Sequence, residues 1–213
     1  MNVLILSGTN HRFNESADVI NGFLSQQDDL SVTLDDNKDV LTSGGLNDFD
    51  VLVHGSGFTR SERVDGQRII SPNFTPEQEA GLFDFVSGGK GLVGIHGTAW
   101  WIGGKAVDLI GGHANWHPPG LTFTVNIADE DHEITEGIGD FEVEDEIYMS
   151  AWDPSIRVLA TADWSDKQHP MAWVKPYGNG RVFYTTLGHG PGTFEHAGMQ
   201  QLVAQGVRWA GKN

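Results

Sequence analysis

The sequence predicts an α/β domain built on a central sheet that is mostly parallel and gains extra strands in its C-terminal half. Three observations carry this. The first half alternates short apolar runs with segments of helical periodicity. Those apolar runs are continuous, as in strands buried on both faces. The second half then offers strand after strand without long helices between them.

Taken in order, Val3 to Ser7 is the first strand, and Ala17, Ile20 and Leu24 recur at helical spacing over Ser16 to Leu24. Leu30 to Leu34 alternates and reads as a second strand, and Phe49 to Val53 as a third, ending at His54. Thr59 to Asn73 reads as a polar loop. Thr75-Pro76-Glu77-Gln78 then starts a helix. Thr75 supplies the N-cap, Pro76 the first helical position and Gln78 the side chain that reaches back. That helix should run to Ser87 and stop at Gly88-Gly89. Gly91 to Ile95 is a fourth strand, followed by a sharp turn at His96-Gly97-Thr98 into a helix containing Trp100 and Trp101. His113 and His117 stand at i, i+4, but between Gly111-Gly112 and Pro118-Pro119, which predicts loop. Thr122 to Ile127, Phe141 to Met149 and Val158 to Ala162 read as strands. Met171 to Lys175 and Arg181 to Thr186 form a hairpin around Pro176-Tyr177-Gly178-Asn179-Gly180. A last helix covers about Phe194 to Ala210. The absence of repeats or a linker leaves residues 1–213 as one domain.

Thirteen Lys and Arg against twenty-nine Asp and Glu give a net charge of −16, so neither a nucleic acid nor an anionic membrane is an expected partner. There is no cysteine, which removes disulfides, thiolate metal sites and a thiol nucleophile. The first residues read as a strand and not as a signal peptide, and a cytoplasmic location is expected. Neither a phosphate-binding P-loop, nor a dinucleotide fingerprint, nor a serine-hydrolase elbow is present.

In an open parallel sheet, ligands bind beyond the carboxyl ends of the strands. His11, His54, His96 and His189 are each predicted at such an end, four of the nine histidines. Any one of them could be a hydrogen-bonded loop residue; four at one sheet edge point to a site. Imidazole serves as acid, base or metal ligand near neutral pH. Strand alternation puts Glu146 and Tyr148 on one face and Asp145 on the other, so Glu146 is the carboxylate expected to meet His96 or His189. The competing reading is a solvated acid in line with Glu142 and Glu144. No cofactor is required by the sequence. A divalent metal such as zinc would use His96, His189 and Glu146. Of Trp100, Trp101, Trp116 and Trp152, one or two are expected to face a ligand as sugar-stacking platforms.

Gly91-Leu92-Val93-Gly94-Ile95-His96-Gly97, Leu109-Ile110-Gly111-Gly112, Asp145-Glu146-Ile147-Tyr148 and Gly180 through His189 resemble, in order, signature blocks of the ThuA-like (trehalose utilisation) family. The resemblance covers nearly the whole chain. It implies a flavodoxin-like, class I glutamine amidotransferase-like three-layer sandwich. In those amidotransferases a cysteine occupies the elbow where His96 stands here, so thiolate chemistry is not available. It also implies a role in bacterial catabolism of trehalose, disaccharides or glycosides, with His96, Asp145, Glu146, Tyr148 and His189 as the positions carried over. Two functions follow as expectations. In the first, His96 and His189 are acid and base with Glu146 orienting one of them, acting on a sugar or keto-sugar by isomerisation or hydrolysis. His11, His54, Trp100, Asp145, Tyr148, His113 and His117 would contact the substrate. In the second, the same scaffold binds a carbohydrate or a partner protein without turnover. A homodimer is compatible with the surplus of aromatics.

Overall fold

The computed structural model describes residues 1–8, 12–42, 44–55, 59–100 and 104–212. Its centre is a nine-stranded sheet, flanked on both faces by helices. The first five positions across it are β2 (Ser31–Asp35), β1 (Asn2–Leu6), β3 (Val51–His54), β6 (Gly91–Ile95) and β13 (Gly180–Thr185), all parallel. The sheet continues antiparallel through β12 (Lys167–Tyr177), β11 (Arg157–Trp164), β8 (Leu121–Ile127) and β9 (Phe141–Asp145). A mostly parallel sheet is therefore corrected to a mixed one. The physical reason lies in the connections: the second half lacks the helices that crossover links require, and two-residue turns join β11 to β12 and β12 to β13.

Alternation along the inner strands divides the core between the two faces. Val3 and Ile5 pack with α1 (Phe13–Leu24) and α4 (Ala197–Ala210), whereas Leu4 and Leu6 pack with α2 (Pro76–Ser87) and α3 (Gly104–Ile110). The α2 capping box forms as expected: Thr75 Oγ1 accepts the Gln78 N–H (3.2 Å) and Gln78 Oε1 accepts the Thr75 N–H (3.0 Å).

Four local expectations are revised. Residues 59–73 are largely a hairpin, β4 (Thr59–Val64) with β5 (Gln67–Pro72), turning on Asp65-Gly66 with φ of 51° and 79°. Asp-Gly with both residues at positive φ is a favoured two-residue hairpin turn. Residues 112–116 are a strand, β7 (Gly112–Trp116), paired antiparallel with β10 (Met149–Trp152). The strand expected over 141–149 breaks after Asp145 and resumes at Met149. The sharp turn after β6 leads into a 3-10 turn (His96–Trp100), with the helix proper beginning later.

The antiparallel half curls. Four strand spacings separate β13 from β9, about 19 Å in a flat sheet, yet Asp145 at the end of β9 hydrogen-bonds Gly188 just past β13 at 2.8 Å. The register of β11 against β12 shifts twice, between Val158 and Ala160 and between Ala160 and Thr161. Bulges of this kind increase local twist. The pairing of β11 with β8 covers only Ala160–Ile127 and Thr161–Asn126, so the sheet bends there. Phe123, Val125, Phe141 and Val143 are thereby brought into one core with Phe194, Met199 and Leu202.

Candidate functional site

His96 and His189 follow adjacent parallel strands, β6 and β13, and the curl of the sheet carries Glu146 to them. His96 stands at the elbow with φ of 41°, a left-handed conformation that costs a non-glycine residue about 1–3 kcal/mol. The surroundings hold it there. Tyr184 Oη donates to the His96 carbonyl at 2.7 Å, and Thr98 Oγ1 donates to the carbonyls of His54 (2.8 Å) and Ile95 (3.0 Å). Gly94 lets Tyr184 approach: a Cβ there would lie 2.9 Å from the Tyr184 ring.

The His96 side chain is 1% exposed. Its Nδ1 lies 2.6 Å from the Thr186 carbonyl, an acceptor only, so Nδ1 carries the proton and Nε2 presents its lone pair. Tyr148 Oη donates to that Nε2 at 2.6 Å. Around the same nitrogen lie His189 Nδ1 at 3.3 Å and Glu146 Oε2 at 3.4 Å, while Glu146 Oε1 is 3.3 Å from His189 Nδ1 and 3.4 Å from His117 Nδ1. Burial pushes the Glu146 carboxyl up, but the adjoining His189 and His96 rings more than offset it and hold it well below the usual carboxylate range. The same contact with Glu146 raises His189 against its partial burial. Burial keeps Tyr148 a phenol far above its ordinary range, which suits it as a donor.

Glu146 is thus buried within the site, unlike the exposed Glu142 and Glu144. Asp145 faces the same loop. It is 3% exposed and uses both oxygens: Oδ1 accepts the N–H groups of Glu146 (2.7 Å) and His189 (3.2 Å), and Oδ2 accepts Gly188 N–H (2.8 Å) and Thr193 Oγ1–H (2.6 Å). It fixes the backbone that presents His189. Trp100 packs edge-on against Tyr148 and His117, with ring centres 5.7 and 6.1 Å away. His117 also places Nδ1 2.9 Å from the Pro118 carbonyl. His54 is buried between Phe13 and Phe74 with Nδ1 3.0 Å from the Leu6 carbonyl, a wall position behind the elbow. His113 lies along β7, outside the His96–Glu146–His189 group; His11 and Trp101 lie outside the described residues. The supporting roles of Thr186 and Thr193 carry no sequence signal, since each depends on a fold contact 90 and 48 residues away.

A cavity of about 640 Å³ opens onto Glu146 and His189, a size typical of small-molecule sites. Its walls include Glu142, Glu144, Asp145, Glu195 and His196, and no lysine or arginine among the described residues. No helix among the described residues is long and apolar enough to cross a membrane.

No curated protein matches this sequence. Solved structures match its fold. A ThuA-like protein from Parabacteroides merdae superposes with a TM-score of 0.78 at 19% identity, over 99% of this chain and 89% of that one. A cytoplasmic protein from Salmonella typhimurium LT2 gives 0.71 at 16% identity, over 100% of each chain. A β-galactosidase from Bacillus circulans sp. alkalophilus gives 0.67 at 14% identity, with 98% of this chain matching 30% of that one. The sequence profile of the ThuA family, described as trehalose utilisation, matches residues 2–210. Together with the elbow histidine and its Glu146–Tyr148–His189 surround, that match leads to one conclusion: the chain belongs to the ThuA family.

Proposed function

We propose that the protein is an enzyme of carbohydrate catabolism that moves protons on a neutral sugar or keto-sugar, with His189 and His96 as acid and base and Glu146 as the carboxylate that orients them. One observation carries the reading: two imidazole nitrogens 3.3 Å apart share a buried carboxylate at the mouth of a small-molecule cavity. Isomerisation next to a ketone requires such a pair. A base takes the proton from the carbon beside the carbonyl, the C–H electron pair forms the enediolate, and a donor stabilises the developing oxyanion. The donor protonates that oxygen, the hydroxyl on the deprotonated carbon gives up its proton and becomes the new carbonyl, and the carbon-bound proton is delivered to the former carbonyl carbon, so ketone and hydroxyl exchange places. His189 is half-exposed and meets the cavity, whereas His96 and Tyr148 form the buried relay behind it. The acidic cavity walls favour an uncharged substrate over a sugar phosphate or sugar acid.

Incubation of the protein with 3-keto-glycosides and disaccharides in D2O, followed by NMR, tests this. Deuterium incorporation beside the ketone, lost in His189→Ala and His96→Ala, is expected. If wild type and His96→Ala bind a sugar equally and neither exchanges nor converts it, the carbohydrate-binding module takes the place of the enzyme.

A second reading has its own observation. His96 Nε2 and His189 Nδ1 lie 3.3 Å apart, and the Glu146 carboxylate reaches both, through Oε1 to His189 (3.3 Å) and through Oε2 to His96 (3.4 Å). Ligands about 2.0–2.1 Å from a tetrahedral zinc ion lie about 3.3–3.4 Å from one another. Glu146 Oε2 is buried with no hydrogen-bond partner, although each other member of the group has one. Two imidazoles and one carboxylate suit zinc or non-haem iron, and the Thr186 carbonyl on His96 Nδ1 is the usual outer support of a ligating histidine. Metal content after purification, and activity before and after chelation, separate this reading from the metal-free one.

A further inference from the structure

We infer that Trp116, with Trp164 beside it, is a stacking subsite for a second sugar ring, so that the protein binds a disaccharide or glycoside more tightly than a monosaccharide. This rests on the sugar reading of the site above and names the part of the substrate that lies outside it. Tryptophan is among the most buried residues on average, yet Trp116 is 53% exposed. Its position is set by the site. The β7–β10 ribbon is rooted there: β7 ends at Trp116, one residue before His117, and β10 begins at Met149, one residue after Tyr148. Trp116 and Met149 are cross-strand partners, while the rings of His117 and Tyr148 lie 5.7 Å apart. Trp116 therefore adjoins the site, one residue from a ring whose Nδ1 is 3.4 Å from Glu146.

The second wall comes from the main sheet. Trp164 ends β11, which runs toward the same sheet end as the site, because β11 is antiparallel to β12 and β12 antiparallel to β13. The two indoles pack in contact, tilted by 52° with centres 6.0 Å apart, so that Trp164 supports the Trp116 ring and holds its other face outward. Further along the ribbon, Ser150, the cross-strand partner of Ala114 and so on the same face of β7 as Trp116, has its Oγ buried without a hydrogen-bond partner, costly unless a bound hydroxyl or water completes it. Trp152, also exposed, pairs with Gly112 at the far end of the ribbon and is not part of this subsite. An exposed aromatic face next to the histidine site with a polar atom beside it matches the chemistry of a pyranose, which has apolar C–H faces and a hydroxyl edge.

The test uses glucose and trehalose as probes of the full chain, by calorimetry or saturation-transfer NMR, alongside light scattering to establish the oligomeric state. Wild type should bind trehalose about tenfold more tightly than glucose, which is about 1.4 kcal/mol. Trp116→Ala should abolish that preference while leaving glucose binding unchanged, and Trp116→Phe should keep most of it. A preference unchanged in Trp116→Ala, or a loss shared equally by glucose, overturns the subsite. So does a wild-type dimer that Trp116→Ala turns into a monomer, which would make the exposed indole a subunit contact. Failure of wild type to bind either sugar counts instead against the sugar reading of the histidine site.

Discussion

Asp145→Ala tests how the histidine site is held. The native carboxylate accepts four hydrogen bonds, three from backbone N–H groups of Glu146, Gly188 and His189 and one from Thr193. It lies 3% exposed at the point where β9 curls onto the loop after β13. Alanine leaves the Thr193 hydroxyl able to rotate elsewhere, but the three amides stay fixed by the chain. An unmet buried donor costs about 1–3 kcal/mol. The low end, appropriate if water enters from the adjoining cavity, gives about 3–4 kcal/mol for three. At about 2–4 °C per kcal/mol for a chain of this size, the melting temperature should fall by about 6–16 °C. Asp145→Asn keeps one acceptor oxygen and should lose about half as much. Glu144→Ala, one residue away but exposed, should stay within about 0.5 kcal/mol. Calorimetric and urea unfolding of the four proteins measures this series. An Asp145→Ala protein that melts within about 2 °C of wild type would refute the clamp and return Asp145 to the cavity wall as a substrate contact.

Other outcomes follow from the same geometry. Tyr148→Phe removes the donor to His96 Nε2 without emptying the core, so it should cost about 1 kcal/mol of stability but at least tenfold in deuterium exchange on a keto-sugar; equal exchange would exclude the relay. Gly188→Ala places a Cβ 2.6 Å from the Phe194 ring at φ of 112°, and should lower stability by about 2 kcal/mol or more, read by urea midpoint. His132 is held below its ordinary pKa by burial first and the charge of Arg157 second, and its Nδ1 accepts the Ile134 N–H (3.1 Å), a bond only the neutral ring can make. The unfolded chain binds that proton more readily, so this contribution is full above about pH 6.5 and is lost as pH falls below it. The stability difference between wild type and His132→Asn should shrink between pH 7.5 and pH 5; a constant difference would show that His132 does not titrate.

The parallel half of the fold was legible because β1, β3, β6 and β13 are buried on both faces and its helix starts carry their own signals, Thr75 through Gln78 above all. His96 and His189 could be placed from topology for the same reason: His96 directly follows the apolar run of β6, and His189 lies four residues past the end of β13. Glu146 was harder. Extending β9 to Met149 preserved a tidy alternation, but Asp145 ends the strand by turning its carboxylate onto four donors, three of them from a loop more than forty residues later in the chain. No local pattern encodes that. The Asp65-Gly66 hairpin was encoded locally and was obscured by the charged, weakly apolar strands on either side. The strand character of His113 to Trp116 was hidden for a different reason, since glycine and proline pairs bracket it and its partner begins more than thirty residues downstream.

The curl of the antiparallel half explains why the site needs the whole chain. A doubly wound sheet alone would supply only His96 and His189 at neighbouring strand ends, two bases with no acid between them. The carboxylate arrives from the strand farthest along the antiparallel side, and it does so only because the paired register shifts in β11 and the two-residue contact of β11 with β8 let the sheet bend through about 19 Å of nominal width. The bend is sealed by Phe141 and Val143 packing with Phe194, Met199 and Leu202. Stability and site geometry are therefore coupled through this seam. A truncation such as Phe141→Ala, expected to cost about 3–5 kcal/mol, should loosen Glu146 from the histidines and weaken proton transfer beyond what the unfolded fraction accounts for. A core substitution of similar cost on the opposite face, Leu82→Ala, touches the second cluster and should lower stability while leaving the activity of the folded fraction intact. Equal effects of the two on folded-state activity would mean that the curl holds the domain together but does not set the geometry of the site.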